Sequence, residues 1–292
     1  MHATTKTEKM PSVGIIDVGG GFRDIYGCGV LDTCMEQGIR FDHCIGVSAG
    51  CANLSSFLAG QHGRNLRFYE FYGQRPAYAG PTAVRMTGSF FNLDYVYSTL
   101  SNSDGEYPID FAALQANPAS FTMVACNART GGAKYFTKED LKQDFYDPIK
   151  ASCAVPVACQ PYVVDGVPYY DGGIVDPIPL KKLRAMGCEK AVLILTRPKT
   201  EFRAVSADER PADLLRHLWP NAASRLATRG LLYNLQLEQA LREEAEGRLL
   251  IVAPDDCCGV NTFTRDRILL DRLYRKGLRD GEAIAAFVRG NV

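Results

Sequence analysis

Short apolar runs alternate with helix-length segments through most of this chain, and the runs are nearly unbroken by polar residues. Residues 13–18, 41–46 and 121–125 read as strands, with 134–137 pairing beside the third. Residues 25–37 read as a helix closed by Gly38, and a second helix runs from Ser48 to about Gly60. Segments 162–164 and 167–170 flank Asp165-Gly166, a dipeptide that favours a two-residue hairpin turn. A helix at 181–186, a strand at 190–196 and a last strand at 248–253 follow. Strands without polar alternation, spaced by helices, predict an α/β fold: a mostly parallel central sheet covered on both faces.

Two stretches depart from this rhythm. Residues 200–247 are charged and mostly helical, with a break at Trp219-Pro220, and Leu231, Leu232 and Leu235 are expected to pack on the body. Residues 264–290 read as a helix pair or one long helix with Ile268, Leu269, Leu273 and Leu278 inward. No Gly/Ser/Pro-rich linker and no internal repeat intervenes. One domain over 1–292 is therefore expected, with a core at about 13–200 and a helical extension, last strand and closing helix at 201–292.

The formal net charge of zero gives no long-range pull toward nucleic acid or anionic membranes, so any membrane contact should be weak and reversible. The first apolar run has six residues including Asp17, too short for a leader core or a bilayer span, and a cytoplasmic protein is expected. Ten cysteines form no C-x-x-C pair, which predicts buried reduced thiols and no metal site. Oligomeric state is not readable from the sequence.

The candidate chemistry begins at Gly46-Val47-Ser48-Ala49-Gly50, a serine between two glycines at a strand-to-helix junction. That is the nucleophile elbow of serine hydrolases, where the turn is so sharp that the flanking positions must lack side chains. Alone it is a modest signal. The first strand, however, ends in Gly19-Gly20-Gly21-Phe22-Arg23, consecutive glycines whose N–H groups can converge as an anion nest. The run lacks the third glycine of a dinucleotide fingerprint and the Gly-Lys of a phosphate loop, leaving an oxyanion hole as the surviving reading. None of His2, His43, His62 or His217 is well placed as the base. Asp171, in Tyr170-Asp171-Gly172-Gly173 after an apolar strand, is the better candidate, whereas Asp176 reads as a loop-shaping carboxylate.

Together the glycine run, the elbow and the Asp171-Gly172-Gly173 triplet resemble the signature of patatin-like phospholipases, over about residues 13–200. The resemblance implies a three-layer α/β/α sandwich and a Ser–Asp dyad that hydrolyses lipid acyl esters without a cofactor. By it, Ser48 is the nucleophile, Asp171 the base and Gly19, Gly20 and Gly21 the oxyanion hole, with Arg23 placed to meet an anionic headgroup. The expected activity is of the phospholipase A or lysophospholipase type. A small-ester esterase or thioesterase with the same dyad, or a catalytically weak lipid-binding regulatory protein, are the alternatives. One position departs from the pattern: Asp24 stands where the family usually has glycine, and it is expected to cap the helix starting near Ile25. Residues 68–97 hold nine aromatic side chains, Phe90 and Phe91 among them, and read either as helix packing on the sheet edge or as material for an acyl pocket or mobile cover.

Overall fold

The computed structural model describes residues 12–290. Its strands are β1 (Val13–Asp17), β2 (His43–Val47), β3 (Ser120–Asn127), β4 (Ala133–Thr137), β5 (Tyr162–Val164), β6 (Val167–Asp171), β7 (Lys190–Ile194) and β8 (Leu249–Val252). The helices are α1 (Ile25–Glu36), α2 (Ala49–Leu58), α3 (Arg64–Glu70), α4 (Pro81–Thr87), α5 (Phe111–Ala116), α6 (Asp147–Cys153), α7 (Leu180–Ala185), α8 (Glu209–Leu215), α9 (Pro220–Ala245), α10 (Arg267–Gly281) and α11 (Ala283–Arg289).

All eight strands form one sheet with hydrogen-bonded order β5-β6-β3-β2-β1-β7-β8, and β4 pairs with β3. The β3–β2–β1–β7–β8 portion is parallel, as expected for strands joined through helices. Successive side chains of a strand point to opposite faces, so both faces need a cover. Ile15 packs under α1, α2 and α10, while its neighbour Ile16 packs under α7 and α9. This is a three-layer α/β/α arrangement. The β5–β6 hairpin turns at Asp165 and Gly166, both at positive φ (49° and 76°), the conformation the Asp-Gly pair favours.

The C-terminal segments differ from expectation in phase. The chain does break at Trp219, and Pro220 takes the first position of α9, where its missing N–H costs nothing. Yet Leu231 and Leu235 are about half exposed, and the buried face runs through Leu226, Gly230, Tyr233, Leu237 and Ala240. That spacing follows the helical period, and Gly230 lets the backbone at Ala204 approach the helix closely. Ile268 is 66% exposed, while Leu270, Leu273 and Tyr274 turn inward against α1. Residues 264–290 form two helices rather than one. All ten cysteines are free thiols, eight of them buried. Among the described residues no helix is long and apolar enough to cross a membrane.

Candidate active site

β3 explains how residues far apart in sequence meet. One edge of β3 carries β4 over Thr122–Cys126. The other edge pairs with β2 up to Val47↔Val124, and then with β6 from Ala125↔Asp171 onward. Since β6 is antiparallel to β3, β2 and β6 run toward each other along that edge and their C-terminal ends meet. Ser48 follows the last residue of β2, and Asp171 is the last residue of β6. Their side chains therefore converge on one spot by register alone.

Gly172 lies across β3 so closely that a Cβ there would sit 2.2 Å from the Val124 carbonyl oxygen, and the turn carries Gly173 against Val47. Asp171 is buried and accepts a bond from the Gly173 N–H at 2.7 Å. Burial raises its pKa above the ordinary aspartate value, while the Ser48 hydroxyl, the Gly173 amide and Arg229 oppose the rise.

Ser48 adopts φ 56° and ψ −131°, a conformation that costs a non-glycine residue of order 1–3 kcal/mol. Several contacts hold it there. Its N–H donates to Ser152 Oγ (3.0 Å), and that hydroxyl in turn donates to the Val124 carbonyl (2.6 Å). The Cys51 thiol also donates to Ser152 Oγ (3.1 Å). Ser152 is fully buried on α6, with nothing in its sequence neighbourhood to mark it. The flanking glycines are sterically required: a Cβ at Gly46 would meet Cys51 backbone at 2.7 Å, and one at Gly50 the Asp17 carbonyl oxygen at 2.3 Å.

The glycine run packs on this elbow, with Gly19 at positive φ against Ser48 and Ala49. Its three amides are not equivalent. The Gly19 N–H donates to Asp17 Oδ1 (3.1 Å), while the N–H groups of Gly20 and Gly21 have no acceptor among the described residues. Thr196 Oγ1 donates to the Gly19 carbonyl (2.7 Å), and Phe22 N–H donates to the Thr262 carbonyl (3.2 Å). The turn is thus braced from both sides, with Arg23 just beyond it.

Asp24 does not cap α1. Its φ −76° and ψ 4° come from the 3₁₀ turn Gly21–Asp24 that feeds the helix, and no side-chain capping bond forms. A capping residue needs an extended backbone to reach the second or third amide. The carboxyl instead points inward, fully buried, toward Asp17, with Asn53 Nδ2 donating to Asp17 Oδ2 and to the Asp24 carbonyl. It lies behind the glycine turn, in neither cavity that Ser48 lines. Burial and the facing charge push Asp24 well above its ordinary value, and burial lifts Asp17 to about 6. The folded pair therefore keeps a proton that both groups lose in the unfolded chain above pH ~4. The pair's contribution to stability is fully present below that pH and is lost as pH rises through the folded pKa values. Asp24→Asn should raise the melting temperature at pH 8 by roughly 2–5 °C and flatten its decline between pH 5 and 8. Parallel pH–melting curves for the two proteins would show that the carboxyls do not share a proton.

Two cavities meet at Ser48. An enclosed one of about 70 Å³ runs inward between α2, α3 and α6, past Phe68, Tyr78, Phe91, Leu93, Val96 and Leu100. An open mouth of about 970 Å³ holds Ser48, Asp171, the glycine run, Phe90, Phe263 and five arginines. Phe91 stacks on Phe263 (5.7 Å between ring centres) and Phe90 stands edge-on to both, so the three rings form a wall between the two spaces. The stretch 68–97 thus supplies walls to both cavities, through α3, the connecting residues Tyr78, Phe90, Phe91 and Leu93, and a π-helical turn at Tyr95–Leu100.

Among the described residues no histidine lines either cavity. His43 is tied to Ser120 at the far end of β2, His62 to Glu36, and His217 is exposed; His2 lies outside the described residues. Asp176 accepts from Tyr135 and Gln236, a structural role. Among the described residues no group of three or more His, Cys, Asp or Glu could hold a metal ion.

Residues 18–184, more than half the chain, match the profile described as patatin-like phospholipase. The chain belongs to that family. The match runs from the residue after β1 into α7, and so contains the elbow, the glycine run and Asp171. Residues 219–287 match a second profile, a domain of unknown function designated DUF6363, which covers most of α9 through α11. The uncharacterized protein YjjU of Escherichia coli is 33% identical over 193 residues, 65% of this chain and 53% of its own length. Lysophospholipase NTE1 of Saccharomyces cerevisiae is 26% identical, with 61% of this chain and 10% of that protein covered. This chain therefore spans about half or less of the length of these relatives. Among solved structures, VipD from Legionella pneumophila aligns over 97% of this chain and 67% of its own at a TM-score of 0.48 and 12% identity.

Proposed function

We propose that this chain is a serine acyl hydrolase of the patatin-like kind that cleaves lipid acyl esters, of phospholipase A or lysophospholipase type. The observation that carries the reading is the head-on meeting of β2 and β6 along β3. It sets Ser48 and Asp171 together at the floor of the mouth, beside an apolar cavity. The family match and the likeness to the yeast lysophospholipase support the substrate class.

In this reading Ser48 Oγ attacks the ester carbonyl carbon while Asp171 takes the hydroxyl proton. The negative charge that forms on the carbonyl oxygen is met by the free N–H groups of Gly20 and Gly21, with Gly19 holding their turn through Asp17. Collapse expels the alcohol, which takes the proton from Asp171, and leaves an acyl-enzyme. Water then attacks, gives its proton to Asp171, and the fatty acid leaves as Ser48 recovers the proton. A base with a raised pKa is a stronger proton acceptor once ionised, and burial provides that shift. The acyl chain occupies the inner cavity and the alcohol portion the mouth.

Release of fatty acid from esters of graded chain length tests this assignment. Ser48→Ala should lose release at every length. Ala52→Phe, which fills the inner cavity one helical turn from Ser48, should lower the long-chain to short-chain kcat/KM ratio by about 10–100-fold. An unchanged ratio would place the acyl chain elsewhere. A wild-type profile confined to the shortest esters would favour the small-ester reading, and no release at any length would favour a lipid-binding protein.

A further inference from the structure

We propose that Arg197 and Arg203, together with Arg23, form a phosphate subsite in the mouth, so that the preferred acyl ester carries an anionic phosphate head rather than a zwitterionic one. The inference deepens the acyl-hydrolase reading and rests on it for the position of the ester.

The charge balance of the mouth is the starting point. Arg23, Arg197, Arg203, Arg210 and Arg229 line it against two aspartates, Asp171 and Asp208, in a chain whose formal net charge is zero. The acids present do not quench these cations. Asp208 is shared between Arg229 and Arg203, the latter at 3.3 Å, and Arg197 pairs with Glu201 at 2.9 Å. Arg23 has no ion-pair or hydrogen-bond partner among the described residues. The Nε atoms of Arg23, Arg197 and Arg203 are all buried without an acceptor. A buried donor left unpaired costs about 1–3 kcal/mol, more for a charged group, so the arginine cluster is under-satisfied by the protein's own acceptors.

The cluster also works against itself. Burial first, and then the charges of Arg197 and Arg203, push Arg23 down to about 10. Arg203 is likewise lowered by burial and by Arg229 and Arg197. An arriving dianion relieves this repulsion. Guanidinium is suited to the task because its planar fork meets two phosphate oxygens together. A choline or ethanolamine head would bring a further cation against Arg197, Arg203 and Arg210.

Position favours a head attached to the substrate. Arg23 Nη2 lies beside Gly20, within 3.4 Å of where a Cβ would stand, and Gly20 belongs to the turn packed on Ser48. An ester held at Ser48 with its acyl chain inward therefore directs its alcohol portion toward the arginines. Phosphate on that portion lies within the mouth, not on open surface.

Calorimetric titration of the full chain with octyl phosphate, octyl phosphocholine and inorganic phosphate decides the matter without turnover. Octyl phosphate should bind at least tenfold tighter than either of the others. Arg197→Gln and Arg23→Gln should each weaken it about tenfold, and Arg197→Lys, which keeps the charge without the fork, should fall between. Melting curves identify any variant that has lost its fold; Arg197 follows β7 on a half-exposed segment and serves if Arg23→Gln does not fold. Equal affinity for the two octyl heads, or indifference to both substitutions, overturns the subsite. Inorganic phosphate binding as tightly as octyl phosphate overturns its assignment to a lipid head. A fluorophosphonate that fails to modify Ser48 would instead defeat the hydrolase reading, whatever the titrations show.

Discussion

Asp171→Asn should leave a folded protein whose kcat is lower by about 10³–10⁴-fold, the scale on which a base that activates a hydroxyl contributes. The substitution is nearly isosteric, and the asparagine carbonyl can still accept from the Gly173 N–H that holds the turn. What it removes is the group proposed to take the Ser48 proton. His217→Ala is the matching comparison: the side chain is exposed and lines neither cavity, so activity should be unchanged. Full activity in Asp171→Asn together with an inactive His217→Ala would mean that the base has been misassigned. The pH profile gives a second check. A base must be ionised to act, so kcat/KM should rise with pH along a limb that lies above the ordinary aspartate range, because burial raises Asp171. Asp171→Asn should abolish that limb.

The second large effect falls on the fold. Gly50→Ala should destabilise the protein by about 3 kcal/mol or more, a drop of roughly 6–12 °C in melting temperature. A methyl group at this position would stand 2.3 Å from the carbonyl oxygen of Asp17 and 2.9 Å from its side-chain carbon. Neither can give way, since Asp17 closes the central strand β1 and receives bonds from Gly19 and Asn53. The displaced element would be α2 with the Ser48 elbow at its head, so activity should fall with stability. Gly38→Ala makes the contrast: that glycine is at φ 64° with open space around it, and only the backbone penalty of about 1–2 kcal/mol applies. Equal losses from the two substitutions would show that close approach at the elbow does not limit the residue.

Much of this arrangement was legible in sequence because it is local. Glycines on both sides of Ser48 and the run at 19–21 report backbone turns, and a turn's constraints fall on its own residues. The apolar runs of the parallel strands were equally plain, since β1, β2, β3, β7 and β8 are buried on both faces. What brings Ser48 to Asp171 is different in kind: the register of two strands that share one edge of β3, which no window of sequence contains. The resemblance to a family supplied that pairing, and the register now gives its physical cause. Ser152 was missed for the same reason, because a buried serine on α6 carries no mark of the backbone amide it will meet. Asp24 was misread as a cap because the 3₁₀ turn before α1 sets its direction and Asp17, on a neighbouring strand, receives it. Leu231, Leu235 and Ile268 erred in phase only. Long helices with apolar residues on more than one face do not say which face the body will cover.

The central claim is that Ser48 is an activated nucleophile, and covalent capture tests it most directly. The full chain is treated with a long-chain fluorophosphonate, digested, and the modified peptide located by mass spectrometry. The account predicts one adduct per chain on Ser48, absent in Ser48→Ala and strongly slowed in Asp171→Asn. An unmodified Ser48, or an adduct on another residue that survives Ser48→Ala, would contradict it.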